Sequence, residues 1–257
     1  FEVELIAIVI TVPVVLFGTK SCCALTASKN AIDYFRAAIF VLVLLIFRHR
    51  INPNWDSVWF MSGEHYFSAE PTGDFKPKTI RVNLLGRDFQ LQTAGGVFSP
   101  DHLDTGTAML LKHLDEAPTS GNLLDVGCGW GPIAIALALQ APQATVWAVD
   151  VNQRSLDLTR INAEALGITN IKTCLPDDVP ADLEFTGIWS NPPIRVGKAE
   201  LHNILLNWLP KLSPECESYL VVAKDLGADS LLKWLQTELP ENFDAHAKAI
   251  WSINDKI

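Results

Sequence analysis

The stretch LLDVGCGWGPIAIALAL, residues 123–139, limits the fold more than any other part of the chain. Its apolar start predicts a β-strand that stops at Asp125, and its apolar end predicts a helix. Between them lie Gly127, Gly129 and Gly131. Glycines at a strand–helix junction permit a tight turn and let a ligand approach the backbone closely. These three glycines, together with Asp125, are therefore predicted to bind a cofactor.

The acidic residue that ends the next strand indicates a nucleoside. The apolar stretch ATVWAVD ends in Asp150, and a carboxylate at this position can accept hydrogen bonds from two ribose hydroxyls. Asn152, just beyond it, is predicted to line an adenine. Asp177, after the following strand, is predicted to accept from the adenine amino group, with Asp178 as the alternative. Solvation at the surface is the other interpretation of these last two carboxylates.

Strand and helix patterns alternate along most of the chain. Strands are predicted at 122–126, 144–149, 170–174, 184–190 and 217–223, and helices at 105–116, 131–140, 153–166, 198–209 and 228–238. Such alternation is typical of parallel βαβ units. The predicted fold is α/β, with a doubly wound, mostly parallel, Rossmann-like sheet. A short β-rich lead-in precedes it, because TIRVNLLGRDFQLQT (79–93) consists of two alternating runs joined near Gly86, which is a hairpin signal.

Residues 1–60 differ in composition from the rest of the chain. They contain two apolar runs, Leu5–Phe17 and Ala37–Phe47. Both runs are shorter than the roughly 18 apolar residues that a membrane-spanning helix needs, and Glu2 and Glu4 do not suit a secretory signal. Two interpretations stay open: a membrane-associating appendage, or non-native upstream sequence translated in frame before Met61. The second is favoured because the runs are too short to span, so membrane contact is not expected.

These patterns divide the chain into two predicted parts. Residues 1–60 are the appendage, which is expected to carry no chemistry, and residues 61–257 are the functional domain. Within that domain, 61–94 is the hairpin lead-in and 95–240 is the cofactor and catalytic core. The last part, 241–257, is an atypical tail without convincing strand alternation.

Cysteine, histidine and charge content limit the cellular compartment, the metal sites and the partners that can be expected. Its five cysteines include no CxxC pair, and its six histidines show no metal-type spacing. This pattern favours reduced thiols, a cytoplasmic location and the absence of a metal site. The net charge of −9 argues against indiscriminate nucleic-acid binding, although it leaves room for a local basic patch.

The glycine loop also indicates which cofactor is bound. Its pattern is Asp-x-Gly-x-Gly-x-Gly, from Asp125 to Gly131, whereas dinucleotide enzymes favour Gly-x-Gly-x-x-Gly. The pattern resembles the cofactor loop of class I S-adenosylmethionine methyltransferases. This resemblance implies S-adenosylmethionine as the cofactor, with a nicotinamide cofactor as the alternative.

A second motif, SNPPIRVGK at 190–198, follows another apolar strand. Its prolines are stiff and cannot donate backbone hydrogen bonds, so Asn191 is predicted to lie fixed at the carboxyl end of that strand, where ligands bind. Methyl transfer to an exocyclic amine requires acceptors that hold both N–H bonds and so aim the nitrogen lone pair. The Asn191 side chain and the Pro192 carbonyl are the candidate acceptors, and Pro193 makes the loop rigid.

Three motifs in order carry a resemblance to one family. GGVFSPDHLDTGTAMLL (95–111), LLDVGCGWGPIAIALA and SNPPIRVGKAELH resemble the methyltransferase small family, over about residues 61–240. Its best-known members methylate guanine N2 in small-subunit ribosomal RNA, which implies the same reaction here and ribosomal RNA or the small subunit as partner. The family also implies roles over the cofactor and on the substrate side for Phe98, Ser99, Asp104, Gly106 and Thr107. Without the family, Asp104 or Thr105 is simply a predicted helix N-cap.

The sequence departs from the family at two places. Many relatives have an aromatic residue after Asn-Pro-Pro that stacks on the target base, whereas Ile194 stands here. Stacking is then expected from elsewhere, with Phe98 as the candidate, and Ile194 remains a predicted substrate contact. Arg195 and Lys198 are predicted to contact RNA phosphates, with a solvated loop as the alternative. The second departure is the tail, which lacks the usual closing glycine-aromatic strand.

Other functions fit parts of this pattern. An Asn-Pro-Pro site also suits adenine or a protein glutamine amide as the methyl acceptor. A cofactor-binding fold retained as a non-catalytic assembly factor is a third possibility, against which the intact Asp125, Asp150 and Asn191 argue. The sequence therefore predicts an enzyme that transfers a methyl group to an exocyclic amine, most specifically guanine N2.

Overall fold

The computed structural model describes residues 2–12 and 75–254. The chain divides into a unit of residues 1–14 and 64–257 and a second unit of residues 15–63. Every described residue belongs to the first unit. The apolar run at 37–47 and most of the predicted appendage lie outside the described residues.

The described residues contain nine strands and five α-helices. The strands are β1 (Glu2–Thr11), β2 (Lys78–Leu84), β3 (Arg87–Thr93), β4 (Ser120–Val126), β5 (Gln143–Val149), β6 (Ile171–Cys174), β7 (Phe185–Ser190), β8 (Leu212–Ala223) and β9 (Asp244–Asn254). The α-helices are α1 (Thr105–Leu110), α2 (Pro132–Gln140), α3 (Gln153–Ala165), α4 (Lys198–Trp208) and α5 (Ala228–Glu238). A 3₁₀ segment, Leu111–Glu116, continues α1. Each strand and helix predicted between 105 and 238 is present.

Seven strands form one sheet in the order β6-β5-β4-β7-β8-β1-β9. The five strands from β6 to β8 run parallel, which confirms the predicted doubly wound α/β fold. From β4 the chain builds outward to β5 and β6, and it then continues on the other side of β4 with β7 and β8. The strand order therefore reverses between β4 and β7. In open α/β sheets, the crevice at such a reversal is where ligands bind.

Helices cover both faces of the sheet, so its central strands are almost wholly apolar. On one face, α1, α2, α3 and the β2–β3 hairpin contribute to a single apolar cluster. On the other face, α4 and α5 pack against the sheet. Helix α2 is buried at every position from Pro132 to Ala138, as expected for a helix between a sheet and its neighbours. Both faces of the central strands are thus buried.

The predicted hairpin is formed by β2 and β3. Its turn has positive φ at Leu85 (53°) and Gly86 (73°), which is the backbone that two-residue hairpin turns prefer. Asn162 of α3 holds the second strand, because its Oδ1 accepts from Gln92 N at 2.6 Å and its Nδ2 donates to Gln92 O at 2.8 Å. The hairpin is therefore anchored where the chain leaves it for the segment that begins at residue 95.

Residues 2–11 correct the domain boundary predicted at residue 60. They form β1, which lies between β8 and β9 and runs antiparallel to both. Each side chain from Leu5 to Ile10 is at most 6% exposed. A continuous apolar run suits a strand that is buried on both faces as well as it suits a membrane segment. This part of the predicted appendage is therefore an interior strand of the sheet.

The tail also differs from its prediction, since it forms the edge strand β9. The pairing of β9 with β1 shifts by one residue, from Ala7 opposite Ala249 to Ile8 opposite Ala247. The extra residue, Lys248, makes a bulge, and a bulge interrupts the two-residue period by which strands are identified.

No helix in residues 2–12 or 75–254 is long and apolar enough to cross a membrane.

The buried position of β1 predicts a large stability cost for truncating its side chains. Ile8 is fully buried, so Ile8→Ala is expected to lower the free energy of unfolding by about 2–5 kcal/mol. The matched control is Ile161→Ala, because Ile161 on α3 is 37% exposed; its cost should stay under about 1 kcal/mol. Urea denaturation of both variants measures the difference. Equal losses would contradict the interior position of β1.

Candidate functional site

The predicted motifs meet at the strand reversal. The glycine loop leaves the carboxyl end of β4, Asp150 follows β5, and Asn191 follows β7. Because β5 and β7 are the two neighbours of β4, the three motifs share one edge of the sheet. Ser190 Oγ donates to Val126 O at 2.7 Å, which ties the last residues of β7 and β4 together.

The three glycines of the loop serve two different purposes. All have positive φ: 77° at Gly127, 58° at Gly129 and 93° at Gly131. A Cβ at Gly131 would lie 2.8 Å from Thr159 Oγ1, so this glycine allows α2 to approach α3. A Cβ at Gly127 or Gly129 would meet no atom within 4 Å. These two positions therefore present bare backbone to open space, as a site for a closely bound ligand requires.

Asp125 lies beneath the loop with no exposed surface. Its Oδ2 accepts from Ala134 N in the first turn of α2 at 2.9 Å. Its Oδ1 is buried without a hydrogen-bond partner among the described residues. Burial, with a smaller effect from the charge of Asp150, raises the Asp125 pKa to about 8. Asp125 therefore links the end of β4 to the first turn of α2 and places a buried carboxylate beneath the glycine loop.

Asp150 joins the glycine loop to the start of α3. Its Oδ2 accepts from Gly129 N at 3.0 Å, and its Oδ1 accepts from Asn152 N at 2.9 Å. Burial raises its pKa, although these backbone hydrogen bonds act in the opposite direction. The Ser155 hydroxyl and the Val151 N–H also form hydrogen bonds with this carboxylate. Asp150 is only half-buried, so ligand hydroxyls can still reach it.

The segment 95–101 is held over the glycine loop by side chains that the sequence prediction did not single out. Trp130, inside the loop, donates from Nε1 to Ser99 O at 3.1 Å. Arg154 of α3 donates from Nη1 to Gly95 O at 2.6 Å. Phe98, within the segment, is 47% exposed. A tryptophan between two loop glycines was the sequence signal that could have identified the first of these contacts.

The remaining predicted adenine contacts have different environments. Asn152 is 1% exposed and caps α3; its Nδ2 donates to Gly96 O at 2.8 Å and its Oδ1 accepts from Arg154 N at 2.9 Å. It thereby positions the 95–101 segment. Asp177 and Asp178 are both exposed in a 3₁₀ turn after β6. Both carboxylates are therefore open to a ligand or to water.

Asn191 contacts the helix α1 rather than the glycine loop. Its Nδ2 donates to Asp104 Oδ2 at 2.8 Å and to Thr107 Oγ1 at 3.0 Å. Asp104 is the N-cap of α1, since the same Oδ2 accepts from Thr107 N at 3.1 Å, which confirms one of the two predicted caps. Thr107, predicted as a cofactor contact, is 3% exposed and packs against Asn191. The structure thus joins two motifs that are far apart in the sequence.

The residues that follow Asn191 border a cavity on the α4 side. Pro192 is buried and Pro193 is half-buried. Ile194, Lys198 and His202 line a cavity of about 230 Å³ between α4 and the chain that follows β8. Ile194 and Lys198, both predicted substrate contacts, are thus brought together, whereas the Arg195 side chain is outside the described part of the structure. No group of metal-binding side chains occurs in residues 2–12 or 75–254.

Comparison with known proteins identifies the family. The sequence profile of the methyltransferase small domain matches residues 88–247. The uncharacterized protein YbxB of Bacillus subtilis is 36% identical over 176 residues, which cover 67% of this chain and 88% of that protein. The ribosomal RNA small subunit methyltransferase C of Pseudomonas entomophila is 33% identical over 142 residues, which cover 54% of this chain. The chain spans only 42% of the length of that second relative.

A solved structure supports the fold. It is the T. thermophilus 16S rRNA N2 G1207 methyltransferase in complex with AdoMet and guanosine. Its TM-score is 0.51 at 22% sequence identity, over 59% of this chain and 43% of that one. The resemblance predicted from the three motifs is confirmed: the chain belongs to the methyltransferase small domain family.

Proposed function

We propose that this protein methylates an exocyclic amino group, most specifically guanine N2 of small-subunit ribosomal RNA. One observation carries the proposal: Asn191 of the Asn-Pro-Pro motif stands at the carboxyl end of β7, beside the strand that carries the glycine loop. The named relatives that act on small-subunit ribosomal RNA support the choice of substrate.

The glycine loop and its two carboxylates fit S-adenosylmethionine. Gly127 and Gly129 leave backbone open to a ligand, and Asp150 suits the ribose hydroxyls. The buried Asp125 carboxylate beneath the loop would attract the cofactor's positive charge without touching it. When bound, the cofactor supplies an electrophilic methyl group on a sulfonium. Two carboxylates also suit a ligand with positive charge, because burial disfavours their ionised forms until a cation compensates them.

The Asn-Pro-Pro loop would orient the amine. The Asn191 Oδ1 and the Pro192 carbonyl would accept its two N–H bonds, so that the nitrogen lone pair is aimed at the methyl group. Neither acceptor carries a formal charge, and Pro192 and Pro193 restrict the backbone between them. Orientation of this kind requires no nucleophile on the protein. After transfer, the methylated amine releases its extra proton to solvent water.

RNA recognition would depend on a few local groups, since the chain has a net charge of −9. Lys198 is exposed at the start of α4 beside the Asn-Pro-Pro loop, where a cation suits a phosphate. Arg195 is proposed for the same role. Ile194 replaces the stacking aromatic of many relatives, and the exposed ring of Phe98 is the proposed substitute.

The cofactor proposal predicts that loss of the Asp150 carboxylate weakens S-adenosylmethionine binding. Asp150→Ala is expected to cost about 1.5–3 kcal/mol of binding free energy, the range for hydrogen bonds to a charged group. Asp157→Ala is the control, because Asp157 lies on α3, the helix that follows Asp150, and its carboxylate pairs with Arg160. Calorimetry gives both affinities. Unchanged affinity in Asp150→Ala would contradict the ribose role.

The raised pKa of Asp125 predicts a pH-dependent affinity. A cationic group of the cofactor favours the ionised carboxylate, so binding must displace a proton at any pH below the pKa of about 8. Affinity for S-adenosylmethionine is therefore expected to fall as the pH drops from 7.5 to about 6, by up to about tenfold per pH unit. Asp125→Asn has no proton to lose and should show a shallower slope. Identical slopes would exclude Asp125 as the group whose ionisation is coupled to cofactor binding.

The decisive test of the reaction is methylation of small-subunit RNA extracted from cells, followed by nucleoside mass spectrometry. We expect N2-methylguanosine from the unchanged protein. Asn191→Ala should lower turnover by two or more orders of magnitude, about 2.7 kcal/mol of barrier, with cofactor affinity unchanged. Formation of N6-methyladenosine would show that adenine is the methyl acceptor instead of guanine. Tritium transfer to protein alone would show that a protein amide is the acceptor. Cofactor binding with no transfer to either would favour the assembly factor.

A further inference from the structure

The side-chain amide of Asn191 has two chemically opposite ends. Its Oδ1 accepts hydrogen bonds, its Nδ2 donates them, and a half-turn about the Cβ–Cγ bond exchanges the two with little change in shape. Only one of these orientations offers an acceptor to a substrate amine. A residue that serves as an amine acceptor therefore needs something that fixes the orientation of its amide.

Two neighbours of Asn191 supply that constraint. The Asp104 carboxylate accepts from Nδ2 at 2.8 Å, and the Thr107 hydroxyl oxygen accepts from Nδ2 at 3.0 Å. An ionised carboxylate can only accept. In the rotated orientation, Oδ1 of Asn191 would face the Asp104 carboxylate. The hydrogen bond between the two side chains would be lost, and two acceptor oxygens would lie close together. The carboxylate therefore permits one orientation of the amide and opposes the other.

The position of Asp104 is itself fixed by the start of α1. Its Oδ2 also accepts from Thr107 N at 3.1 Å as the helix N-cap. Gly106 keeps the space around this contact clear, because a Cβ there would lie 3.0 Å from Asp104 Oδ2 and 3.5 Å from Asn191 Nδ2. The Asp-Thr-Gly-Thr sequence at 104–107 thus supplies the carboxylate and the hydroxyl that contact Asn191, and the glycine that leaves room for them.

We propose that Asp104 and Thr107 are positioning residues that hold the Asn191 amide with its carbonyl oxygen toward the substrate amine. This inference rests on the proposed function, because it requires Asn191 to be an acceptor for that amine. The charged partner adds strength as well as direction, since a hydrogen bond to an ionised acceptor is stronger than one between neutral groups. Donation from Nδ2 also polarises the amide and makes Oδ1 a better acceptor.

Asp104→Ser separates the positioning role from the helix cap. Serine is a favourable N-cap, so it can still accept from Thr107 N, but it is neutral and shorter by one heavy atom on the path to Asn191. We expect turnover to fall at least tenfold, with unchanged S-adenosylmethionine affinity and little change in thermal stability. Thr107→Val, which removes the hydroxyl acceptor, should lower turnover several-fold. Thr105→Ala, an exposed neighbour in the same turn, is the control and should keep normal turnover.

A double-mutant cycle tests whether Asp104 acts through Asn191. If it does, Asp104→Ser combined with Asn191→Ala should be no slower than Asn191→Ala alone, because the positioned group is already absent. Additive losses would overturn the proposal. So would normal turnover in Asp104→Ser and Thr107→Val together with a large loss in Asn191→Ala. Normal turnover in Asn191→Ala would instead refute the proposed role of Asn191 itself. The cycle therefore distinguishes failure of the proposed function from failure of this inference.

A measurement without turnover tests the orientation directly. In ¹⁵N NMR spectra of the unchanged protein, the Asn191 Nδ2 protons should show the shift and slow exchange of a donor to a carboxylate. Both features should be lost in Asp104→Ser and kept in Thr105→Ala. An Asn191 amide that is unaffected by Asp104→Ser would overturn the inference even if turnover had fallen.

Discussion

The parallel pairing of β4 with β7 is the contact on which the arrangement of the site depends. In this register Leu123 lies opposite Gly187, and Asp125 lies opposite Trp189. Two residues further along each strand come Gly127 and Asn191, the first residues of the two functional loops. A Cβ at Gly187 would lie 2.5 Å from the Trp189 ring, so glycine there is needed for this packing. A shift of the register by one residue would turn every side chain of β7 to the other face.

Carboxylates surround the loops that this pairing brings together. Burial raises the pKa values of Asp125 and Asp150, and each is partly compensated by backbone N–H groups at the start of a helix or loop. Asp104 meets the amide of Asn191 instead. In the proposed function, a cationic cofactor would stabilise the first two carboxylates, whereas the third would fix the direction of the Asn191 amide. The same residue type would thus have two roles, which depend on the groups that surround it.

Most of the fold, and the residues of the two loops, could be predicted from sequence because local patterns determine them. The spacing of apolar residues and the glycines identified β4 and α2, and the two prolines identified the loop at Asn191. The interior strand β1 could not be identified, because its partners β8 and β9 come from the opposite end of the chain. An apolar run alone also does not show whether it is buried in a protein core or in a membrane. The way in which Asn152 and Thr107 are held could not be predicted for a similar reason. Their partners within the chain, Gly96 and Asn191, come from distant segments that only the folded chain brings together. That both residues contact the cofactor stays a prediction.

Strand β9, which was not predicted from the sequence, also supports the site. Lys248, the bulged residue of β9, donates to Glu116 and, at 3.0 Å, to Tyr219 Oη of β8. Burial would raise the Glu116 pKa, but hydrogen bonds, mainly from Lys248 and Tyr219, lower it to about 2. Glu116 ends the segment that continues α1. Tyr219 stacks on Trp189, with ring centroids 5.0 Å apart. Because Trp189 lies two residues before Asn191 and α1 carries Asp104 at its N-cap, the edge strand β9 contacts the continuation of α1 directly and is linked to β7 through Tyr219.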